Sequence, residues 1–302
     1  MCGKIGARSA WPALLCLAAA AQAVRADEVT HDLRGPGPVK GTVLTSESVA
    51  TIKDATVVIR SGQAELVVGT VTMDLEKTSR LEILAVDGRQ ATRTRLLISK
   101  DTLRSRGTVN DEKTDVTRPS PLTGKPIVGE WTGTKWKHTL EKGERWFRPW
   151  TEAERDKLDD LSGYHSGAAF YPAAPVPVGH RWDGDAEAIR QALLPSAKRG
   201  EVTGKASSVF RGLETVGGER CAVIETELTF KQMVDARGKK GSMSFTGKRT
   251  AYRSLKSGET VKEEIDGRVT LVFEQESDGV KGEVEISGPM TGRDTVSVTR
   301  RP

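Results

Sequence analysis

"CAVIETELTF" (residues 221–230) alternates. Ala222, Ile224, Thr226, Leu228 and Phe230 fall at every second position, with Glu225 and Glu227 among the places between them. A period of two puts the first set on one face of a strand and the acids on the other. One apolar face and one charged face mark an antiparallel sheet that is covered on one side and wet on the other.

The pattern extends both ways. Downstream, "SMSFTGKRTAYRSL", "GRVTLVFE", "KGEVEIS" and "DTVSVT" continue a meander, with turns expected at Gly217-Gly218, Ser257-Gly258, Asp266-Gly267 and Asp278-Gly279. Upstream, "KGTVLTSESVATI", "ATVVIR", "QAELVVGTVTMDL" and "RLEILAV" read as short strands, punctuated by Ser61-Gly62 and Asp87-Gly88. Asp-Gly suits a two-residue hairpin because both central positions want positive φ. "TRTRLLIS" should therefore return antiparallel after Gly88.

Between these stretches the pattern changes. Thr151 with Glu154 three residues on forms a capping box ahead of "EAERDKLDDL". Asp185 caps "AEAIRQALLP", and Pro195 stops it. The fold class is mainly β: antiparallel meander sheets, half-barrel or sandwich-like, with two short helices in a central connector. The expected parts are an N-terminal β-rich stretch at 27–150, a connector at 151–195 and an antiparallel stretch at 196–302.

The connector includes "YPAAPVPVGHRW" (171–182). Its prolines favour a stiff, extended path, and Tyr171 and Trp182 carry large apolar surfaces. The expectation is a rigid strap docked on the core. Residues 27–130 contain no aromatic side chain except that of His31, whereas nine Phe, Trp and Tyr residues fall between Trp131 and Trp182. The bland reading of this cluster is core. The sharp one is a ligand cavity lined by Trp136, Trp146, Trp150, Tyr164, Tyr171 and Trp182.

Lys4 and Arg8, the apolar run "WPALLCLAAAAQAV" and small residues at Val24 and Ala26 predict a secretory signal peptide over residues 1–26. Leu15 stands where a lipid-anchor site at Cys16 would need a small residue. No later run is long and apolar enough for a membrane helix. Loss of Lys4, Arg8 and Arg25, with no acid, lowers the formal net charge from +5 to +2. That near-balance argues against nucleic acid as a partner. The basic phrases "ARGKKG" (236–241) and "GKRTAYR" (247–253) read as a solvated hairpin. After cleavage Cys221 is the sole cysteine, so no intrachain disulfide forms. It reads as a packed small residue.

No motif for chemistry has the required spacing. "GSMSFTGKR" (241–249) has five residues between its glycines, not the four of a phosphate loop. "WDGDAE" (182–187) misplaces the glycine of a calcium loop, so Asp183, Asp185 and Glu187 read as helix-capping acids. No two histidines have the spacing of a helical metal site, and no cofactor is indicated. His165, beside Ser166, or His180 could join Asp159 or Asp160 in a hydrolytic site.

From "DKLDDL" through "YPAAPVPVGHRW" into "GGERCAVIE", roughly residues 155–290, the chain resembles a family of exported bacterial proteins of unknown function. The shared phrase is Pro-Val-x-Val-Gly closing on tryptophan, with His180 standing where that family has an acid. The resemblance implies a secreted β-rich fold and supplies no catalytic residues. The lipoprotein-carrier half-barrel with its helical lid is an analogy of architecture only. Three functions stay open: a non-catalytic exported protein binding an apolar or envelope-derived ligand, a hydrolase using His165 or His180, and a surface module acting through strand edges.

Overall fold

The computed structural model describes residues 29–61, 64–141, 151–159, 161, 163–194, 197, 200–236, 239–277 and 280–300. In chain order its strands begin with β1 (Thr30–His31), β2 (Thr42–Ser61), β3 (Ala64–Asp87), β4 (Gln90–Val109) and β5 (Glu112–Pro119). The hairpin β6 (Pro126–Trp131) and β7 (Trp136–Leu140) follows, then helix α1 (Glu152–Asp159) and a 3-10 turn at Ala168–Phe170. Next come β8 (Val176–Pro177), β9 (Arg181–Gly184) and helix α2 (Ala186–Leu193). Five long strands complete the chain: β10 (Val202–Val216), β11 (Glu219–Ala236), β12 (Lys239–Ser254), β13 (Thr260–Ser277) and β14 (Val280–Arg300). The expected signal peptide lies outside the described residues.

The fold is mainly β with two short helices, as the alternation indicated. The large sheet runs β7-β6-β4-β3-β2-β14-β13-β12-β11-β10-β9, every pair antiparallel, with β5 added beside β4. It is not closed into a barrel. The last strand, β14, pairs with β2, so the two β-rich stretches form one sheet. This order has a consequence for the connector. It leaves β7 at one edge and re-enters at β9, the other edge. At ~4.8 Å per strand spacing, ten gaps amount to about 48 Å of flat sheet, so the connector has to cross a face.

That face is the one the alternation assigned to the core. Ala222, Ile224, Thr226, Leu228 and Phe230 are buried on β11, while Glu225 and Glu227 are exposed. They pack with Phe210 of β10, Ile189 of α2, and Phe170, Tyr171 and Val176 of the connector. Towards the β7 edge, Leu158 of α1 packs on Leu96, Ile98, Leu122 and Ile127. The connector is thus the second layer over a single sheet.

Several strands are longer than their sequence phrases. "KGTVLTSESVATI" and "ATVVIR" fall on one strand, β2, joined by a bulge near Asp54, which has φ 46°. β3 likewise carries "AELVVGTVTMDL" and "RLEILAV" without a break. Asp87-Gly88 makes the expected hairpin, with Gln90 returning opposite Asp87. Asp266-Gly267 makes no turn: β13 runs straight through it, with Gly267 opposite Gly247. A Cβ on Gly267 would lie 2.5 Å from the Thr246 carbonyl and 2.7 Å from the Phe245 ring. The glycine there makes room for a neighbouring side chain instead of turning the chain.

Candidate binding cavity

Two anchors hold the connector against the sheet. At α1 the capping box forms as read: Thr151 N–H donates to Glu154 Oε2 at 2.8 Å, and Glu154 N–H donates to Thr151 Oγ1 at 3.2 Å. The same carboxylate is buried and receives Lys125 Nζ. The hydrogen bond from Lys125 outweighs burial and, with those from Thr151, lowers the Glu154 pKa to about 2. At α2 Ala188 N–H donates to Asp185 Oδ1 at 2.9 Å, the expected N-cap; Pro195 lies outside the described residues.

The strap is docked. Tyr171 and Val176 are buried, β8 pairs with β1, and Gly179 turns the chain at φ 88°. Trp182 Nε1–H donates to the Phe170 carbonyl at 3.0 Å. Arg253 of β12 gathers the layers: its guanidinium donates to the Leu33, Ser166 and Arg34 carbonyls, the last two at 3.1 and 3.0 Å. Its Cζ lies 4.3 Å from the centre of the Tyr171 ring.

Between these anchors, Leu161 and residues 164–171 border a cavity of about 290 Å³ on the covered face. Its wall draws on six adjacent strands, β4-β3-β2-β14-β13-β12. Leu44, Leu81, Leu96 and Leu161 form an apolar end over β2–β4. Ser46 and Ser79 on that side hydrogen-bond each other at 2.8 Å. Tyr164, His165, Tyr171, Arg249, Glu259 and Glu263 gather towards β12 and β13, and Lys77 stands on β3.

The electrostatics of the polar end are set by burial. Arg249 is buried, and its Nη2 pairs with Glu263 at 2.6 Å. Burial opposes its charge, but Glu263 and Tyr171 hold its pKa above the ordinary arginine value. Among the described residues its Nε and Nη1 make no hydrogen bond of good geometry. A buried donor left unmet costs about 1–3 kcal/mol, and more on a charged group. Burial also opposes ionisation of Tyr171, yet the Arg249 and Arg253 charges outweigh it and draw its pKa below the usual tyrosine value. Tyr164 donates to Glu259 Oε1 at 2.5 Å. Burial raises the Glu259 pKa despite that bond and the Arg253 charge. Burial, then the Glu259 charge, raises that of Tyr164.

Of the residues expected to line a site, Tyr164 and Tyr171 do so. Trp136 packs behind Tyr164, against Ile83 and Ala91. Trp182 packs beside Tyr171, with ring centres 6.4 Å apart, within the core cluster. Trp146, Trp150 and Asp160 lie outside the described residues. His165 is in the wall beside Ser166, and burial lowers its pKa with help from Arg190. His180 stacks on Trp182 instead. Among the described residues no hydrogen bond joins either imidazole to a carboxylate. Cys221 is free and buried.

The sequence reading missed Arg249, Arg253, Glu259 and Glu263. "GKRTAYR" is a correction: Arg249 and Arg253 are buried, not part of a solvated hairpin. Their signal lay in the alternation, since Arg249, Ala251 and Arg253 share the face that carries Phe245 further back on β12.

No protein-family model matches the chain, and no curated relative is similar enough to match. Among solved structures it is similar to lipovitellin, described for its lipid–protein interactions, at 7% identity and TM-score 0.33, over 87% of this chain. The match spans about a quarter of lipovitellin's length, 26%. A DUF1329 family protein from Desulfovibrio piger is 13% identical, with TM-score 0.17 and 85% of each chain covered. The COG4313 outer membrane channel from Pseudomonas putida F1 is 9% identical, with TM-score 0.25, over 90% of this chain and all of that one. With scores this low, these likenesses carry no argument about function. Among the described residues no helix is long and apolar enough to cross a membrane.

Proposed function

We propose that the protein is an exported, non-catalytic binding protein that holds an apolar or envelope-derived small molecule between its sheet and its connector. The observation that carries this reading is the cavity of about 290 Å³ bordered by Leu161 and residues 164–171, with leucines from three strands and the connector at one end. Its volume is at the lower edge of the range for small-molecule pockets, about 300–1,000 Å³. Export rests on the N-terminal sequence: cleavage after Ala26 would leave Asp27 as the first residue.

The test is mass spectrometry of protein isolated from the exported fraction of its host, sequenced from its N-terminus. The expected result is a chain beginning Asp-Glu-Val-Thr that carries a bound aliphatic molecule. Leu96→Trp, which fills the apolar end, should lose that molecule. A protein that carries none, and takes up none of a series of short aliphatic probes, overturns the binding reading.

A further inference from the structure

We infer that the ligand of this cavity is a small amphiphile with an anionic head, seated at Arg249 with its chain along Leu44, Leu81 and Leu96. The inference rests on the binding reading above and names the ligand's chemistry. Three observations lead to it.

First, the wall is polarised across the sheet. The leucines lie on β2, β3 and β4; of the charged groups Lys77 is on β3, and Arg249, Glu259 and Glu263 gather on β12, β13 and the turn between them. Ser46 and Ser79 share one hydrogen bond, which lessens their demand for a polar ligand at the apolar end. A molecule that fills both ends therefore has an apolar body and a polar head.

Second, the polar end has donors to spare. Among the described residues Glu263 takes Nη2 of Arg249, while Nε and Nη1 make no hydrogen bond of good geometry, although the Tyr171 hydroxyl lies close enough to favour the guanidinium charge. Arg253, behind Tyr171, spends its donors on three neutral carbonyls. Glu259 already receives the Tyr164 hydroxyl. Among the described residues no acceptor is aligned on Arg249 Nε and Nη1, and an anionic oxygen is the strongest acceptor for a guanidinium.

Third, two guanidinium groups, those of Arg249 and Arg253, flank Tyr171, with Glu259 and Glu263 as the carboxylates of the same end. The Tyr171 phenol titrates below its usual range although it is buried, because two guanidinium charges face it. Lys77 adds a further cation to the wall. The Phe170 ring lies over Arg249, 5.7 Å from Cζ to ring centre. Seating the head requires that ring to turn, a side-chain adjustment common at binding sites.

The test compares octanoate, 1-octanol and octylammonium, by calorimetry on the mature protein freed of endogenous ligand. Octanoate should bind at least tenfold more tightly than octanol, and octylammonium most weakly. Arg249→Gln should bring octanoate to no more than the affinity octanol shows for the same variant. If octanol matches octanoate in the unmodified protein, the anionic head is wrong and the cavity reading survives. If none of the three binds, the cavity reading itself falls. A second measurement needs no variant. The carboxyl of labelled octanoate, followed by NMR in the unmodified protein, should titrate below its free value when bound. An unshifted or raised value overturns the inference.

Discussion

Leu81 faces Leu96 across β3 and β4, and six residues further back on β3 Leu75 faces Leu103. The two pairs share residue type and strands, and Leu75 and Leu81 share one face of β3. Yet Leu96 is 9% exposed, whereas Leu75 and Leu103 are 40% and 37% exposed. Among the described residues of the connector, Leu158 and Leu161 pack on the first pair, the covered end. At the bare end the strands carry cross-strand ion pairs, Arg104–Asp115 and Arg106–Asp74, each at 2.6 Å, and Lys100–Glu76. The outer strand there, β5, is exposed throughout and charged, which protects an open edge from pairing with other chains. Strand length is therefore a matter of hairpin pairing; the second layer buries the first pair, while beyond Leu75 the strands bury only a smaller cluster of their own around Ala55, Val57, Val68 and Val71.

The largest expected effect comes from breaking the covered end. Ile98 is fully buried on β4, and Ile98→Ala should cost about 2–5 kcal/mol in a denaturant melt. A loss near that of a surface change would mean that α1 does not hold this end.

The anchor of α1 gives a pH signature. The Glu154 pKa falls from 4.5 to about 2 on folding, so its stabilisation is complete above about pH 4.5 and is lost as pH drops towards 2. At ~1.4 kcal/mol per unit this is an upper bound of about 3.5 kcal/mol, reduced by whatever solvent screens the pair. Glu154→Gln should lower stability at neutral pH by that order and flatten the acid limb. An unchanged limb would show that Lys125 and Thr151 do not grip this carboxylate.

The strap should matter less than the core beneath it. Trp182 is half-buried and hydrogen-bonded to Phe170. Trp182→Ala should cost about 2 kcal/mol, below the 3–5 typical of a fully buried aromatic. A silent substitution would show that the strap does not brace the fold.

At the bare end the effects should be smallest. Leu103→Ala and Arg104→Ala should each stay within about 0.5–1 kcal/mol, the scale of surface residues and exposed ion pairs. Losses as large as that at Ile98 would show a hidden cover over β4 and β5 and erase the contrast.

Local pattern determined much of this molecule from the sequence alone. The alternation in residues 221–230 specified which side chains face inward, because a strand's side chains change face at every residue. Thr151 with Glu154, Asp185 and Asp87-Gly88 specified helix starts and a turn, because capping and hairpin geometry are satisfied within a few residues. Asp266-Gly267 misled because a glycine can serve a turn or a close approach, and only Phe245, from the neighbouring strand, chose between them. The site was half legible. Tyr164 and Tyr171 stood out as large side chains in the connector, but Arg249, Arg253, Glu259 and Glu263 looked like ordinary surface charge. The burial of the two arginines and the half-burial of the two acids depend on β14 pairing with β2, which makes one wide sheet, and on the connector lying across it. Pairing between strands more than two hundred residues apart leaves no local mark. The tertiary structure alone therefore decided which of two identical leucine pairs meets a cavity and which charges close its other end.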